Sequence, residues 1–160
     1  MEEPKEQEVE ELDRQVGEGD VKTDVLRKIS SLGISEKMRL VSTTNKKKVR
    51  AILIKDSNKR IGLAVVKSPN VTIEEIQDFA RMKDLHTDIL MSIADDQRYS
   101  NDRLVVWALL NNPKMPVATS QRLIRKFSFT WKELSSLAKN RDLAQGLRSM
   151  AMRMSQAKQH

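Results

Sequence analysis

Apolar residues along this chain recur at helical spacing, and no segment alternates apolar and polar residues over the length of a strand. From residue 21 onward this pattern predicts a series of short helices joined by loops of roughly two to six residues. Thr72 and Thr130 are each followed three residues later by a glutamate, and this spacing predicts two capping boxes. Further helix starts are predicted at polar residues that can cap a first turn: Ser35, Asn45, Ser57 or Asn58, Thr87, and Ser100 or Asn101.

The helical pattern nearly repeats itself every 43 to 44 residues. Ser57 and Ser100 lie 43 residues apart, and Pro69 and Pro113 lie 44 apart. A repeat of this length built from short helices is typical of armadillo- or HEAT-like stacks, in which each unit buries its apolar face against the next. We therefore predict an all-α fold: a right-handed α-helical solenoid of about two and a half to three repeats, with three short helices in each.

Two segments carry a resemblance to known repeat proteins. They run from Leu109 through Asn111, Asn112 and Pro113 to Lys114, and from Leu137 to Asn140. Over residues 34–154 the chain resembles the armadillo/HEAT class, the leucine-rich-repeat-variant helical proteins and a bacterial helical-repeat family of uncharacterised function. The resemblance implies a binding role and no catalytic residue, because its motifs are an Asn-Pro helix stop and alanines that allow close packing.

Two segments, 61–66 and 104–110, are apolar almost all the way round. Helices of this kind lie between neighbours on both sides, so we expect both segments to be buried. Trp107 lies inside the second segment, and we therefore interpret it as a core residue. Trp131 follows Phe127 and Phe129 and is interpreted either as an exposed binding anchor or as a staple between helices.

Charge is distributed unevenly along the 160 residues. Residues 1–20 carry nine acidic side chains against Lys5 and Arg14, whereas the remaining residues carry 27 basic and 13 acidic ones. This composition predicts a disordered acidic leader over residues 1–20, a helical repeat domain over 21–156 and a frayed C-terminus over 157–160. The alternative is that Val9, Leu12 and Val16, which share one helical face, dock the leader on the basic body and screen it.

The sequence offers little for catalysis. It has no cysteine, and its two histidines are His86, in a predicted loop, and His160, the last residue. No glycine-rich phosphate loop or metal-ligand spacing is present, so we predict no enzyme activity, no cofactor and no metal site. The first residues are acidic and the longest apolar run has seven residues, which predicts a cytoplasmic protein with no targeting segment and no membrane-spanning helix.

Binding is the remaining class of function, and the first hypothesis is a scaffold or adaptor for a protein partner. The alternative is backbone-driven, weakly sequence-specific binding of nucleic acid through the basic surface, since aromatic residues make up only 4% of the chain. Contact with an anionic membrane surface is a third and weaker alternative. The sequence leaves the oligomeric state open.

Arg60 and Arg103 are the first candidates for partner contact, because they occupy the same position in neighbouring repeats. The competing interpretation is that each is structural, either in an ion pair between repeats or in a helix-start contact with Asp56 or Asp102. The other candidate partner-binding residues are Lys59, Arg50, Arg122, Arg125, Lys126 and Trp131.

Overall fold

The computed structural model describes residues 3–17 and 23–159, and every regular element within them is a helix. This confirms the all-α prediction. The twelve helices of the described residues are α1 (Glu3–Gln15), α2 (Thr23–Ser31), α3 (Ile34–Thr43), α4 (Lys47–Leu53), α5 (Lys59–Lys67), α6 (Ile73–Arg81), α7 (Thr87–Asp95), α8 (Gln97–Ser100), α9 (Arg103–Leu110), α10 (Val117–Leu123), α11 (Trp131–Lys139) and α12 (Gln145–Ala157).

The chain divides into two compact units, residues 1–75 and 76–160, and the division falls within α6. The first unit contains α1 to α5, and its core includes Leu40, Leu53 and Ile61, none of which is exposed. The second unit contains α7 to α12, with a core that includes Leu90 and Leu134. Among the described residues, no helix has both the length and the apolar character needed to cross a bilayer.

Three of the predicted helix starts are confirmed by their hydrogen bonds. The Thr72 hydroxyl accepts from the Glu75 amide while the Glu75 carboxylate accepts from the Thr72 amide, and the same reciprocal pair links Thr130 and Glu133. The Asn58 side chain accepts from the amide of residue 60 and caps α5. Each contact satisfies an amide that the first helical turn leaves without an intrahelical partner.

The other predicted caps are wrong by one or two residues. Gly33 precedes α3, and Lys46 precedes α4. His86 caps α7 through its own Nδ1, and Asp102 caps α9. The last difference arises because Ser100 belongs to the short helix α8 and Asn101 is the C-cap residue of that helix, which leaves Asp102 as the cap of α9.

The expectation that the two most apolar helices are covered on all sides is wrong for α9. Leu104, in its first turn, is 52% exposed, and Trp107 is only half-buried. The Trp107 ring packs 5.5 Å from the ring of Phe129, which is buried. One side of α9 therefore faces solvent. The prediction failed because an apolar run by itself does not specify how many neighbours a helix has.

Residues 3–15 form helix α1, and the side chains of Val9, Leu12 and Val16 are buried against the first unit. Docking was one part of the alternative to a disordered leader, and screening of the basic body, the other part, stays a prediction. Burial of each aliphatic side chain contributes roughly 1.5–3 kcal/mol. The predicted boundary at residue 20 lies outside the described residues.

At the other end of the chain, α12 continues to Ala157, within the segment 157–160 that was predicted to fray. The Lys158 ammonium donates to the carbonyl oxygen of Phe129 at 2.6 Å and to the Ser128 hydroxyl at 3.1 Å. His160 lies outside the described residues.

Candidate binding surface

Arg50 is a structural residue of the first unit. Only 1% of it is exposed, and its Nε and Nη2 donate to the two carboxylate oxygens of Glu75 at 2.8 and 2.9 Å. Burial alone raises the pKa of Glu75, but the hydrogen bonds from Arg50 and Thr72 outweigh it and hold that pKa below its ordinary value. Because its guanidinium is buried, Arg50 does not present a contact to a partner at the surface.

Arg103 also pairs with a glutamate in the second unit, and its acceptor is Glu133 of α11 rather than Asp102. The Nη2 of Arg103 donates to the two carboxylate oxygens of Glu133 at 2.8 and 2.9 Å. Its guanidinium also lies 5.0 Å from the centre of the Phe129 ring. Burial raises the pKa of Glu133, but hydrogen bonds from Thr130 and Arg103 lower it below its ordinary value.

Arg60, the counterpart of Arg103 in the repeat, behaves differently. It lies exposed in the first turn of α5, next to the exposed Lys59. Within residues 3–17 and 23–159 the Arg60 guanidinium forms no ion pair. The expected pair between Arg60 and Asp56 is absent there, since Asp56 instead accepts from Lys37 at 2.6 Å.

The three predicted cations around α10 have different environments. The Arg122 guanidinium donates to Asp95 at 2.7 Å, although both side chains are exposed. The Lys126 ammonium donates to the Ser100 hydroxyl at 2.8 Å. Arg125 is exposed. Two of the three are therefore already engaged within the second unit.

Helices α11 and α12 form an antiparallel hairpin. The Ser155 hydroxyl donates to the carbonyl oxygen of Trp131 at 3.0 Å, and the Nε of Arg148 donates to that of Ala138 at 3.2 Å. These bonds join the start of one helix to the end of the other. Leu134, Leu137, Leu147 and Ala151 are buried, whereas Lys132, Lys139 and Arg153 are exposed.

Two shallow cavities lie on this hairpin, with volumes of about 630 and 380 Å³. We call the residues that line them the hairpin face. The first cavity is lined by Trp131, Lys132, Ser135, Ser136, Lys139 and Asn140, and the second by Ala138, Gln145, Arg148, Ser149, Met152 and Arg153.

The hairpin face is basic and carries two exposed apolar side chains. Trp131 is 43% exposed and Met152 is 42% exposed. Among the described residues, Lys132, Lys139 and Arg153 form no ion pair, and no carboxylate lines either cavity. The Lys132 ammonium lies 5.7 Å from the centre of the Trp131 ring, within the range of a cation–π contact.

The residues around the hairpin face also carry an excess of positive charge. Residues 114–158 carry ten basic side chains and two acidic ones. Both acids are engaged, Glu133 by Arg103 and Asp142 by Lys83 at 3.5 Å. The hairpin face therefore combines a positive surface with two apolar contacts and has no carboxylate of its own.

Of the predicted partner-binding residues, only Trp131 lies on the hairpin face. Sequence reasoning missed Lys132, Lys139, Met152 and Arg153. One signal was available: Trp131, Ser135 and Lys139 follow each other at four-residue spacing, which places them on one side of α11. The signal is weak, because solvent-exposed faces of helices commonly carry lysine.

Comparison of the chain with protein-family models, with curated proteins and with solved structures finds no match. The armadillo/HEAT-like resemblance therefore stays a prediction. Within the part of the chain that the structure describes, no three histidine, aspartate or glutamate side chains group as ligands for a metal ion.

Proposed function

We propose that this chain is a non-enzymatic binding module and that it takes a protein partner on the hairpin face. The observation that carries the proposal is the exposure of Trp131 and Met152 beside cations that have no carboxylate partner in the described residues. Tryptophan and arginine are enriched among residues that dominate binding energy at interfaces, and methionine adapts to irregular partner surfaces.

Charge defines the kind of protein partner. Lys132, Lys139 and Arg153 favour a segment rich in aspartate and glutamate, because complementary potentials accelerate encounter and fix orientation. Trp131 and Met152 favour an apolar anchor within that segment. The proposed partner therefore presents an acidic segment with at least one large apolar side chain.

The proposal includes the predicted right-handed solenoid as the architecture that presents this surface. Local recurrences support it. Asn58 and Asp102 cap helices at positions 44 residues apart. Ser68 and Asn112, also 44 apart, each precede a proline and accept a hydrogen bond from the amide two residues later. Repeated local geometry at a fixed period is characteristic of repeat architectures.

Binding of nucleic acid is the second candidate, and the same unpaired cations favour it. Phosphate contacts need only such positive groups. Single-stranded recognition also needs bases stacked on exposed rings. Trp131 is the one aromatic residue that lines the described cavities of the hairpin face, while Tyr99 and Phe129 are buried. A single exposed ring favours the protein partner over this alternative.

A photo-crosslinking amino acid placed at Ser149 tests the proposal. Ser149 is exposed and lines the hairpin face, while Ser57 is exposed in the first unit and serves as the matched control position. After irradiation in cells we expect a discrete protein adduct from position 149, resistant to nuclease and absent from position 57. An adduct removed by nuclease would favour the second candidate, and equal adducts at both positions would contradict a specific surface.

A further inference from the structure

We propose that the face of the first unit on which α1 lies is a separate binding site for acidic amphipathic helices, with α1 as its resident occupant. The proposal goes beyond the hairpin face and does not depend on it, because every residue involved belongs to the first unit. It rests on how α1 is held, on what α1 leaves uncovered and on the pattern of residues that α1 presents.

The apolar part of the site receives three side chains. Val9, Leu12 and Val16 follow the spacing i, i+3, i+7, and each is at most 3% exposed. Helix α1 packs on α2 and α3. This is the geometry of an amphipathic helix laid in a groove, a recurring mode by which proteins recognise helical peptides.

The polar part of the site recognises carboxylates at defined positions. The Thr44 hydroxyl, which is fully buried, donates to Asp13 at 2.5 Å, and Lys46 donates to the carbonyl oxygen of the same residue. Seven residues earlier, Glu6 pairs with Arg39. The Thr44 hydroxyl and the Arg39 guanidinium therefore select acids two turns apart on a bound helix, while Lys46 holds the helix backbone.

Helix α1 is attached along one face, where Val9 and Leu12 are buried and where Glu6 and Asp13 contact Arg39 and Thr44. It has 13 residues, and most of its charged side chains face solvent. Isolated helices of this length are marginal in water, so α1 is helical only while it is docked. Part of the core of the first unit lies outside α1, because Val49, Ile54 and Val65 are fully buried in α4, α5 and the turn between them. These features predict local opening of α1 while the rest of the unit stays folded.

The resident helix also leaves part of the site uncovered. A cavity of about 470 Å³ lies beside α1, bordered by Val9, Ile34 and Arg39. Ile34 is 49% exposed, and Met38, one turn further along α3, is 36% exposed. A partner helix with larger apolar side chains would cover this surface better than α1 does.

The site therefore defines its ligand by pattern. The ligand is a helix of another protein with acids at the positions of Glu6 and Asp13 and apolar residues at those of Val9, Leu12 and Val16. Helix α1 must open before the ligand binds. The affinity measured on the intact chain is therefore the intrinsic affinity multiplied by the fraction of molecules in which α1 is open.

A fluorescent peptide of residues 1–17 is the probe, and the full chain is the receptor. In the full chain, Leu12→Asp undocks the resident helix, because it places a charge in an apolar groove. We expect the peptide to bind the Leu12→Asp chain at least about tenfold more tightly than the unchanged chain. A peptide that itself carries Leu12→Asp is expected not to bind, and Trp131→Ala in the receptor is expected to have no effect.

Two results would overturn the proposal. The first is a Leu12→Asp chain that keeps its helical circular dichroism and does not bind the peptide. The second comes from hydrogen exchange on the unchanged chain, a measurement that stays informative if the variant unfolds. If the amides of α1 exchange only together with those of α3 and α5, α1 does not open by itself. Faster exchange in α1 alone supports the proposal. DNA can also be added as a competitor. If DNA displaces the peptide whether or not the peptide carries its apolar residues, the proposal is contradicted, because the site would then respond to charge alone.

Discussion

Each of the two units contains an arginine that holds the glutamate of a capping box, and the two pairs differ mainly in burial. The Arg50 side chain is 2% exposed and its partner Glu75 is 8% exposed. The Arg103 side chain is 41% exposed and its partner Glu133 is 26% exposed. The same local motif thus carries a buried ion pair in one unit and a partly solvent-exposed ion pair in the other.

This comparison changes which cations are candidates for function. Arg50 and Arg103 are each explained by a glutamate at the start of a later helix, whereas Arg60, the repeat counterpart of Arg103, forms no ion pair among the described residues. Cations available to a partner are those without a carboxylate nearby, such as Lys132 and Lys139. The excess of positive charge also lies in the second unit. Residues 1–75 carry 15 basic and 14 acidic side chains, whereas residues 76–160 carry 14 basic and 8 acidic ones.

The largest expected effect is the loss of stability on breaking the buried pair. Arg50→Met leaves Glu75 buried without its charge partner, and we expect the free energy of unfolding to fall by about 3–5 kcal/mol. The matched change Arg103→Met breaks the exposed pair and is expected to cost about 1 kcal/mol or less. Urea denaturation measures both, and equal losses would remove the distinction between the two pairs.

The next largest effect concerns the hairpin face. Trp131→Ala removes the largest exposed apolar side chain of that face, and we expect affinity for the cross-linked partner to fall by about 2 kcal/mol, or roughly thirtyfold. Stability is expected to change little, because 43% of the residue is already exposed. Isothermal titration calorimetry and thermal melts separate the two quantities, and unchanged affinity would exclude Trp131 as an anchor.

The stability that the two ion pairs contribute also depends on pH. Glu75 and Glu133 have lowered pKa values in the folded chain, so the unfolded chain binds more protons and stability rises with pH. Their contribution is complete above the ordinary glutamate value of about 4.5 and is lost as pH falls through the lowered pKa values. Each unit of pKa shift corresponds to about 1.4 kcal/mol. Unfolding of Glu75→Gln and Glu133→Gln between pH 7 and pH 3 tests this, and a slope unaffected by either change would refute it.

The smallest effect is expected at Arg60. Its guanidinium forms no ion pair among the described residues, so Arg60→Gln is expected to shift the free energy of unfolding by less than about 0.5 kcal/mol. Arg103→Gln provides the comparison at the equivalent repeat position. A loss at Arg60 as large as that at Arg103, or larger, measured by urea denaturation, would contradict the view that the ion pair with Glu133 sets the difference.

The sequence predicted best those features that depend on neighbouring residues. The predicted start of α11 matches the structure, because Thr130 and Glu133 form the capping box there. It failed for α8, whose four residues are too few for a periodic pattern. It also failed for the exposure of Leu104, since that depends on which helices pack against α9.

The candidate site was predicted less well than the fold because charge pairing is a long-range property. Arg50 and Glu75 lie 25 residues apart, and Arg103 and Glu133 lie 30 apart, so no local rule joins them. Which cations remain unpaired follows only after these pairs form. Trp131 was identified by its residue type, whereas Lys132 and Lys139 required the folded hairpin.

The most direct test of the central claim is the affinity of the cross-linked partner for the double variant Lys132→Glu and Lys139→Glu. Lys67→Glu, at an exposed lysine of the first unit, is the control for reversing a surface charge. We predict that the double variant lowers affinity at least tenfold at physiological salt, with unchanged melting temperature, while Lys67→Glu leaves affinity within about twofold. Equal affinity of both variants for the partner would contradict binding at the hairpin face.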